Sequence, residues 1–302
     1  LSGESNLYQA FSDFGVVLLL FIVGLELNFS YLKKIGRTSV IVGFCQFILN
    51  FSFLFFVAIY YLGLSLSGSV FLSLAACFSS TIVILKLLND KRDEESVYGR
   101  YTIGLMLIQD LISIAILFFL SIFSVSGYTV FDISSFIKIG VVAVFIFLNY
   151  KFILPMILDK IASSSEFLFI FTVAWCFCVA SLTVWAGFSL ELGAIIAGLS
   201  LGSSRYRPEI ISRIKPLRDF FIVIFFVILG SMADFSNIKS ILIPALILSF
   251  FIIIIKPLIL YLIFRVQKFT RRNSFLSGTT AIPLSEFGFI ILLAAAKDGY
   301  LK

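Results

Sequence analysis

The sequence predicts an all-α polytopic membrane protein, and three observations carry that prediction. The chain has 302 residues, of which 60% are hydrophobic and 13% charged, where soluble domains carry roughly 25% charged residues. Its mean hydropathy is +1.11. The apolar residues fall into about ten runs, each long enough for a span of about 20 residues, and basic residues collect after every second run. Helix is the reading for each run, because an open sheet edge in hydrocarbon leaves backbone groups without partners. The length leaves no room for a separate soluble domain, so residues 1–302 read as a single transmembrane domain.

Taken in order, the expected spans are 11–28, 36–62, 68–88, 98–125, 133–158, 166–186, 190–203, 216–232, 238–265 and 273–297, each bounded by charge or turn residues. After the odd-numbered spans come Lys33, Lys34 and Arg37, then Lys91, Arg92 and Arg100, then Lys151 and Lys160. The series continues with Arg205, Arg207, Arg213, Lys215 and Arg218, then Arg265, Lys268, Arg271 and Arg272. After the even-numbered spans basic residues are sparse: Lys239, Lys297 and Lys302. By the positive-inside rule the odd-numbered connections are cytoplasmic and residue 1 lies outside. The net charge of +6 follows the membrane and does not point to nucleic acid.

Two spans have interrupted centres. The third reads Leu74-Ala-Ala-Cys-Phe-Ser79-Ser80-Thr81-Ile-Val-Ile-Leu, with consecutive hydroxyls at mid-depth. The tenth reads Ser277-Gly278-Thr279-Thr280-Ala-Ile-Pro283-Leu-Ser285-Glu286-Phe-Gly288, and proline removes a helical hydrogen bond and clashes with the preceding turn. These two spans run in opposite directions. Such a pair is expected of an inverted repeat with a binding site between the breaks.

The fourth span holds the position with the clearest chemistry. Thr102-Ile-Gly-Leu-Met-Leu-Ile-Gln109-Asp110-Leu-Ile-Ser carries a carboxylate near its midpoint. An acid at bilayer depth costs roughly 2.5–3.5 kcal/mol on insertion scales. Packing alone gives little return on that cost; binding a cation or a proton does. Gln109 beside it is either an interhelical hydrogen-bonding group or a neutral ligand. Lys256 in span nine either snorkels to the inner face or stands inside the bundle as a charge partner. Ser79, Ser80 and Thr81, with Thr279, Thr280, Ser285 and Glu286 in the second break, are either packing and capping groups or hard-oxygen ligands for an alkali cation. Glu191 sits in the first turn of span seven behind Ser189 as N-cap, and Glu26 lies near the inner end of span one; both read as structural. The absence of histidine removes imidazole proton relays and His-based zinc chemistry. Cys45, Cys77, Cys176 and Cys178 lie in apolar stretches as small core residues, with neither a disulfide framework nor metal-ligand spacing. No cofactor is expected.

Several of these segments resemble the monovalent cation:proton antiporter-2 family. They are Phe14-Gly-Val-Val-Leu-Leu-Leu-Phe-Ile-Val-Gly-Leu-Glu26-Leu, Ser79-Ser-Thr-Ile-Val, Leu190-Glu-Leu-Gly-Ala-Ile-Ile-Ala-Gly198, Phe225-Phe-Val-Ile-Leu-Gly230-Ser-Met and Leu284-Ser-Glu286-Phe-Gly-Phe-Ile. They occur in the family's order over nearly the whole chain, together with Gln109-Asp110 and Lys256. The resemblance implies an inverted-repeat antiporter fold with two broken, crossing helices, a core domain at about 36–125 and 238–297, and dimer or linker helices at about 11–28 and 133–232. It implies about two further helices before Leu1 and one after Lys302. Asp110 falls on the family's ion- and proton-binding aspartate. Gln109 falls where sodium-type members have a second aspartate and glutathione-gated potassium efflux members have glutamine. Lys256 falls on the core lysine that pairs with that second aspartate. The function so implied is exchange of potassium, or sodium, against protons by a homodimer in a bacterial inner membrane. The alternatives are a cation channel or a sodium-coupled solute symporter; an enzyme is not expected, since Asp110 is the one mid-membrane aspartate.

Overall fold

A computed structural model describes residues 2–26, 29–125, 133–231, 238–297 and 300, and nearly all of them are helical. The elements are α1 (Ser2–Glu26), α2 (Phe29–Tyr60), α3 (Leu66–Cys77), α4 (Thr81–Asp90), α5 (Val97–Val125), α6 (Ile133–Leu148), α7 (Leu154–Ile161) and α8 (Ser165–Trp185). They continue with α9 (Leu190–Gly202), α10 (Arg207–Ser231), α11 (Ile238–Phe250), α12 (Lys256–Val266), α13 (Arg271–Thr279) and α14 (Glu286–Lys297). Among the described residues, five helical stretches are long and apolar enough to cross a membrane: Arg37–Tyr60, Val97–Leu120, Gly140–Ile161, Ser165–Trp185 and Ile241–Val266. Each run read from the sequence falls on one helix or on a consecutive pair. The side chains of Lys33, Lys34, Lys239 and Lys297, and all of Lys302, lie outside the described residues.

Both spans expected to be interrupted are split, the third into α3 and α4 and the tenth into α13 and α14. Two further helices change pitch without breaking. A π-helical turn, Asn149–Ile153, joins α6 to α7, and another, Phe251–Ile255, joins α11 to α12. Each is followed at the same spacing by a proline, Pro155 and Pro257. Proline cannot donate to the carbonyl four residues back and its ring crowds that turn, so the helix widens by one residue instead of breaking.

The chain divides into two compact units. The first comprises Leu1–Asn28 with Leu117–Ala233. Its axis is α1, whose residues Val17, Leu18, Leu20, Phe21 and Ile22 are fully buried on every side, as a helix apolar all round must be. α1 packs on α9 and α10, and α9 packs on α8. The close approach depends on glycine. A Cβ on Gly24 would collide with the carbonyl of Ile195, and one on Gly198 with the carbonyl of Phe21. This is small-residue packing of the kind that draws helices together where lipid offers no hydrophobic drive. Ser189 caps α9 as expected, its Oγ accepting from Leu192 N at 3.3 Å.

The second unit comprises Phe29–Ile116 with Asp234–Lys302 and contains both breaks. α2 packs on α3 and α12, α12 on α13, and α14 on α3. One apolar cluster, with Val42, Ile84, Leu88, Leu105, Met106, Leu260, Phe264 and Ala281, joins α2, α4, α5 and α12 around the second break. A smaller one unites Leu54, Ala76 and the first residue of the second π turn, Phe251. Gly288 lets α14 lie directly on α3, since a Cβ there would strike the carbonyl of Ala75.

Candidate functional site

The two breaks meet inside the second unit. Ser79 and Leu284 form an isolated antiparallel bridge. Ser80 N donates to Pro283 O at 3.0 Å, and Ser79 Oγ donates to Ala281 O at 3.1 Å. A buried backbone group must find a partner, and an interrupted helix exposes such groups at both new ends. Here the extended stretches of the two breaks pair with each other in part, and surrounding side chains partner further groups.

Side chains from α2, α5 and α12 partner main-chain groups at the first break. Cys77 O accepts from Gln46 Nε2 at 3.4 Å. Phe78 O accepts from Lys256 Nζ at 2.7 Å. Ser79 N donates to Gln109 Oε1 at 2.9 Å, and Gln109 Nε2 donates to Gln46 Oε1 at 2.6 Å. Ser80 caps α4, its Oγ accepting from Val83 N at 3.4 Å. The same hydroxyl donates to Glu286 Oε2 at 3.4 Å. Thr81 Oγ1 lies 3.2 Å from each carboxylate oxygen of Asp110.

The charges complement the half-helix dipoles. A helix carries partial negative charge at its C-terminus and partial positive charge at its N-terminus. The Lys256 nitrogen stands at the C-terminal end of α3, while Glu286 occupies the first turn of α14. Asp110 meets the first residue of α4. Lys256, Gln46, Gln109, Ser79 and Ser80 are buried, whereas Asp110, Thr81 and Glu286 are half-buried. The carboxylates and the threonine are thus the groups within reach of a small ion, and the buried set holds the backbone around them.

Not every residue singled out from the sequence joins this cluster. Thr279 and Thr280 turn back on their own helix, donating to Leu276 O at 2.8 Å and Ser277 O at 2.6 Å. Ser285 accepts from Phe287 N at 3.2 Å as a cap on α14. For Lys256, complete burial disposes of the snorkelling alternative, and its acceptor is a main-chain carbonyl. Gln46 was not apparent from the sequence. Its one signal was an amide, one of two, within the Phe-rich span Val42-Gly-Phe-Cys-Gln46-Phe-Ile-Leu-Asn50.

A family model described as sodium/hydrogen exchanger, transmembrane, matches residues 4–302. K(+) efflux antiporter 5 of Arabidopsis thaliana is 28% identical over 96% of this chain and 52% of its own length. The glutathione-regulated potassium-efflux system protein KefC of Cronobacter sakazakii is 29% identical over 94% of this chain and 47% of its own. The chain therefore spans about half the length of these curated relatives. Among solved structures, the sodium proton antiporter MjNhaP1 of Methanocaldococcus jannaschii matches with a TM-score of 0.60 at 13% identity, over 98% of this chain and 78% of that one. At that identity the likeness establishes the fold.

Proposed function

We propose that this chain, which belongs to the transmembrane sodium/hydrogen exchanger family, exchanges a monovalent cation for protons through Asp110. The observation that carries the reading is the meeting of both helix breaks beside that carboxylate, with Thr81 Oγ1 at 3.2 Å from both of its oxygens. Asp110 would bind either a partly dehydrated cation or a proton, and occupancy by one excludes the other. That exclusion couples the two fluxes. The Thr81 hydroxyl and the N-terminal end of α4 replace part of the ion's hydration, as hard oxygens and half-helix dipoles do in other midplane sites. Ser80 on the first break, with Ser285 and Glu286 on the second, extends the same polar surface, while Thr279 and Thr280 stabilise the end of α13.

One titrating acid at the centre makes one proton per cation the simplest stoichiometry. Potassium is favoured over sodium because Gln109 adds no second negative charge beside Asp110. In this reading the unit carrying the breaks is the mobile core of an alternating-access cycle. The unit built on α1 is the static, dimerising part. The protein would sit in a bacterial inner membrane with residue 1 outside.

The test is proton flux in proteoliposomes of the full-length protein, with potassium and sodium supplied separately. Asp110→Asn should abolish exchange with both ions, and exchange that survives it would remove the site. A current independent of any opposing proton gradient would identify a channel instead. Gln109→Asp should move ion preference towards sodium; an unchanged preference would refute the lean to potassium.

A further inference from the structure

We infer that Gln46 is a positioning residue for the exchange reaction, locking the Gln109 amide and through it the register of Asp110 against the first break. The inference rests on the reading of Asp110 given above. Its geometric basis is a closed chain of three hydrogen bonds. Gln46 Nε2 donates to Cys77 O at 3.4 Å, Gln109 Nε2 donates to Gln46 Oε1 at 2.6 Å, and Ser79 N donates to Gln109 Oε1 at 2.9 Å. The chain starts on Cys77, the last residue of α3, and ends on Ser79 in the unwound stretch two residues on.

Its polarity is imposed from both ends. A main-chain carbonyl can only accept and a main-chain N–H can only donate. Rotating the Gln109 amide would set its NH2 against Ser79 N–H, donor to donor, and rotating Gln46 would set its oxygen against Cys77 O. Both side chains are buried, Gln46 at 0% exposure and Gln109 at 1%, so water cannot rescue a wrong orientation. Leaving one such group unpaired costs about 1–3 kcal/mol. Asp110 follows Gln109 directly on α5, and Thr81 lies two residues beyond Ser79. Fixing Gln109 to Ser79 therefore fixes the Asp110 carboxylate relative to the Thr81 hydroxyl. Misplacement of a reacting group by about 1 Å costs on the order of a hundredfold in other sites.

Two variants separate positioning from mere packing. Gln46→Leu keeps the volume and removes both bonds. Gln46→Glu restores them only when protonated: the neutral acid accepts from Gln109 and donates its O–H to Cys77 O, whereas the carboxylate cannot donate and faces a carbonyl. The titratable groups on elements packed around this position are Cys77 on α3, Lys256 on α12 and Asp110 on α5. Low pH raises the wild-type KM by protonating Asp110, so the wild-type KM falls as pH rises. The Gln46→Glu variant should instead pass through a minimum and climb again at high pH.

The experiment combines exchange kinetics of the full-length protein in proteoliposomes with hydrogen–deuterium exchange of the peptide spanning residues 78–82. Gln46→Leu is expected to raise the cation KM about tenfold, with maximal rate within about threefold, and to speed amide exchange in that peptide. An unchanged KM overturns the inference. Should Gln46→Leu fail to accumulate as folded protein, the Gln46→Glu profile decides, and a curve parallel to wild type overturns it. Should wild type exchange no cation at all, the transport reading fails separately. The lock is then judged on amide exchange alone, where unchanged protection at 78–82 overturns it and faster exchange supports it.

Discussion

Asp110 and Lys256 are both ionisable side chains at mid-span, and their surroundings give them different work. Asp110 is half-buried and meets a hydroxyl; Lys256 is fully buried and meets a main-chain carbonyl at 2.7 Å. If proton and cation compete for one carboxylate, cation affinity must weaken as pH falls through that group's titration. One linked proton makes the apparent KM rise by about tenfold per pH unit on the acidic limb, with maximal rate unchanged at saturating cation. Initial rates against cation concentration at several pH values check this, and a pH-independent KM would refute competition. For Lys256 the expectation is a fall in stability. Lys256→Met removes a buried nitrogen while leaving Phe78 O without its donor, a cost of about 1–3 kcal/mol. The variant should melt at lower temperature in detergent yet retain exchange that Asp110→Asn abolishes. Loss of exchange without loss of stability would give the lysine a direct part in transport.

At the scale of elements, the breaks were legible and their supports were not. Pro283 and the run Ser79-Ser80-Thr81 stand out because proline and clustered hydroxyls are disruptive in an apolar span. What those supports hold is largely main-chain carbonyl and N–H, which every residue carries, so composition offers no trace of the pairing. Gln46 escaped notice for a related reason: a neutral amide costs less in a span than a charge and draws less attention. The glycine at 288 has a sharper consequence than its motif suggested. Because a Cβ there meets the backbone of Ala75 and not a movable side chain, Gly288→Ala must push α14 off α3. Overpacking of this kind costs about 1–3 kcal/mol and would part the two breaks, so both melting temperature and exchange should drop. α2 supplies the opposite case. Asn50 is fully buried, and among the described residues neither its Oδ1 nor its Nδ2 has a partner. Asn50→Leu, of similar volume, removes an unpaired amide whose burial costs about 1–3 kcal/mol. It should raise the melting temperature, and a drop would mean that the amide finds a partner in the membrane.

At the scale of the molecule, the helix segmentation followed from hydropathy because lipid admits so few solutions: a run of apolar residues has no alternative to helix. The assignment of particular contacts did not follow, since Leu, Ile and Phe pack equally well on many faces, and glycines such as Gly24 and Gly198 acquire meaning only when the opposing backbone is in place. Orientation is a whole-chain property that the helices alone leave open, and the charges argue it. The turns after α4, α9 and α12 carry Lys91 and Arg92, Arg205, and Lys268, the last followed by Arg271 and Arg272 at the start of α13. The turns after α2 and α8, containing Gly63 and Gly187 in left-handed conformation, carry no basic residue from Tyr61 to Ser65 or from Ala186 to Ser189. Retention of positive charge on the cytoplasmic side then puts the first set of turns inside and the second outside. In a background with the four native cysteines replaced, Gly63→Cys and Gly187→Cys should react with a membrane-impermeant maleimide in intact cells. Arg92→Cys and Lys268→Cys should react only in inside-out vesicles. If either member of a set reacts from the wrong side, one of the runs between them does not cross the bilayer. The opposed directions of the two broken helices, on which an inverted repeat depends, would then be lost with it.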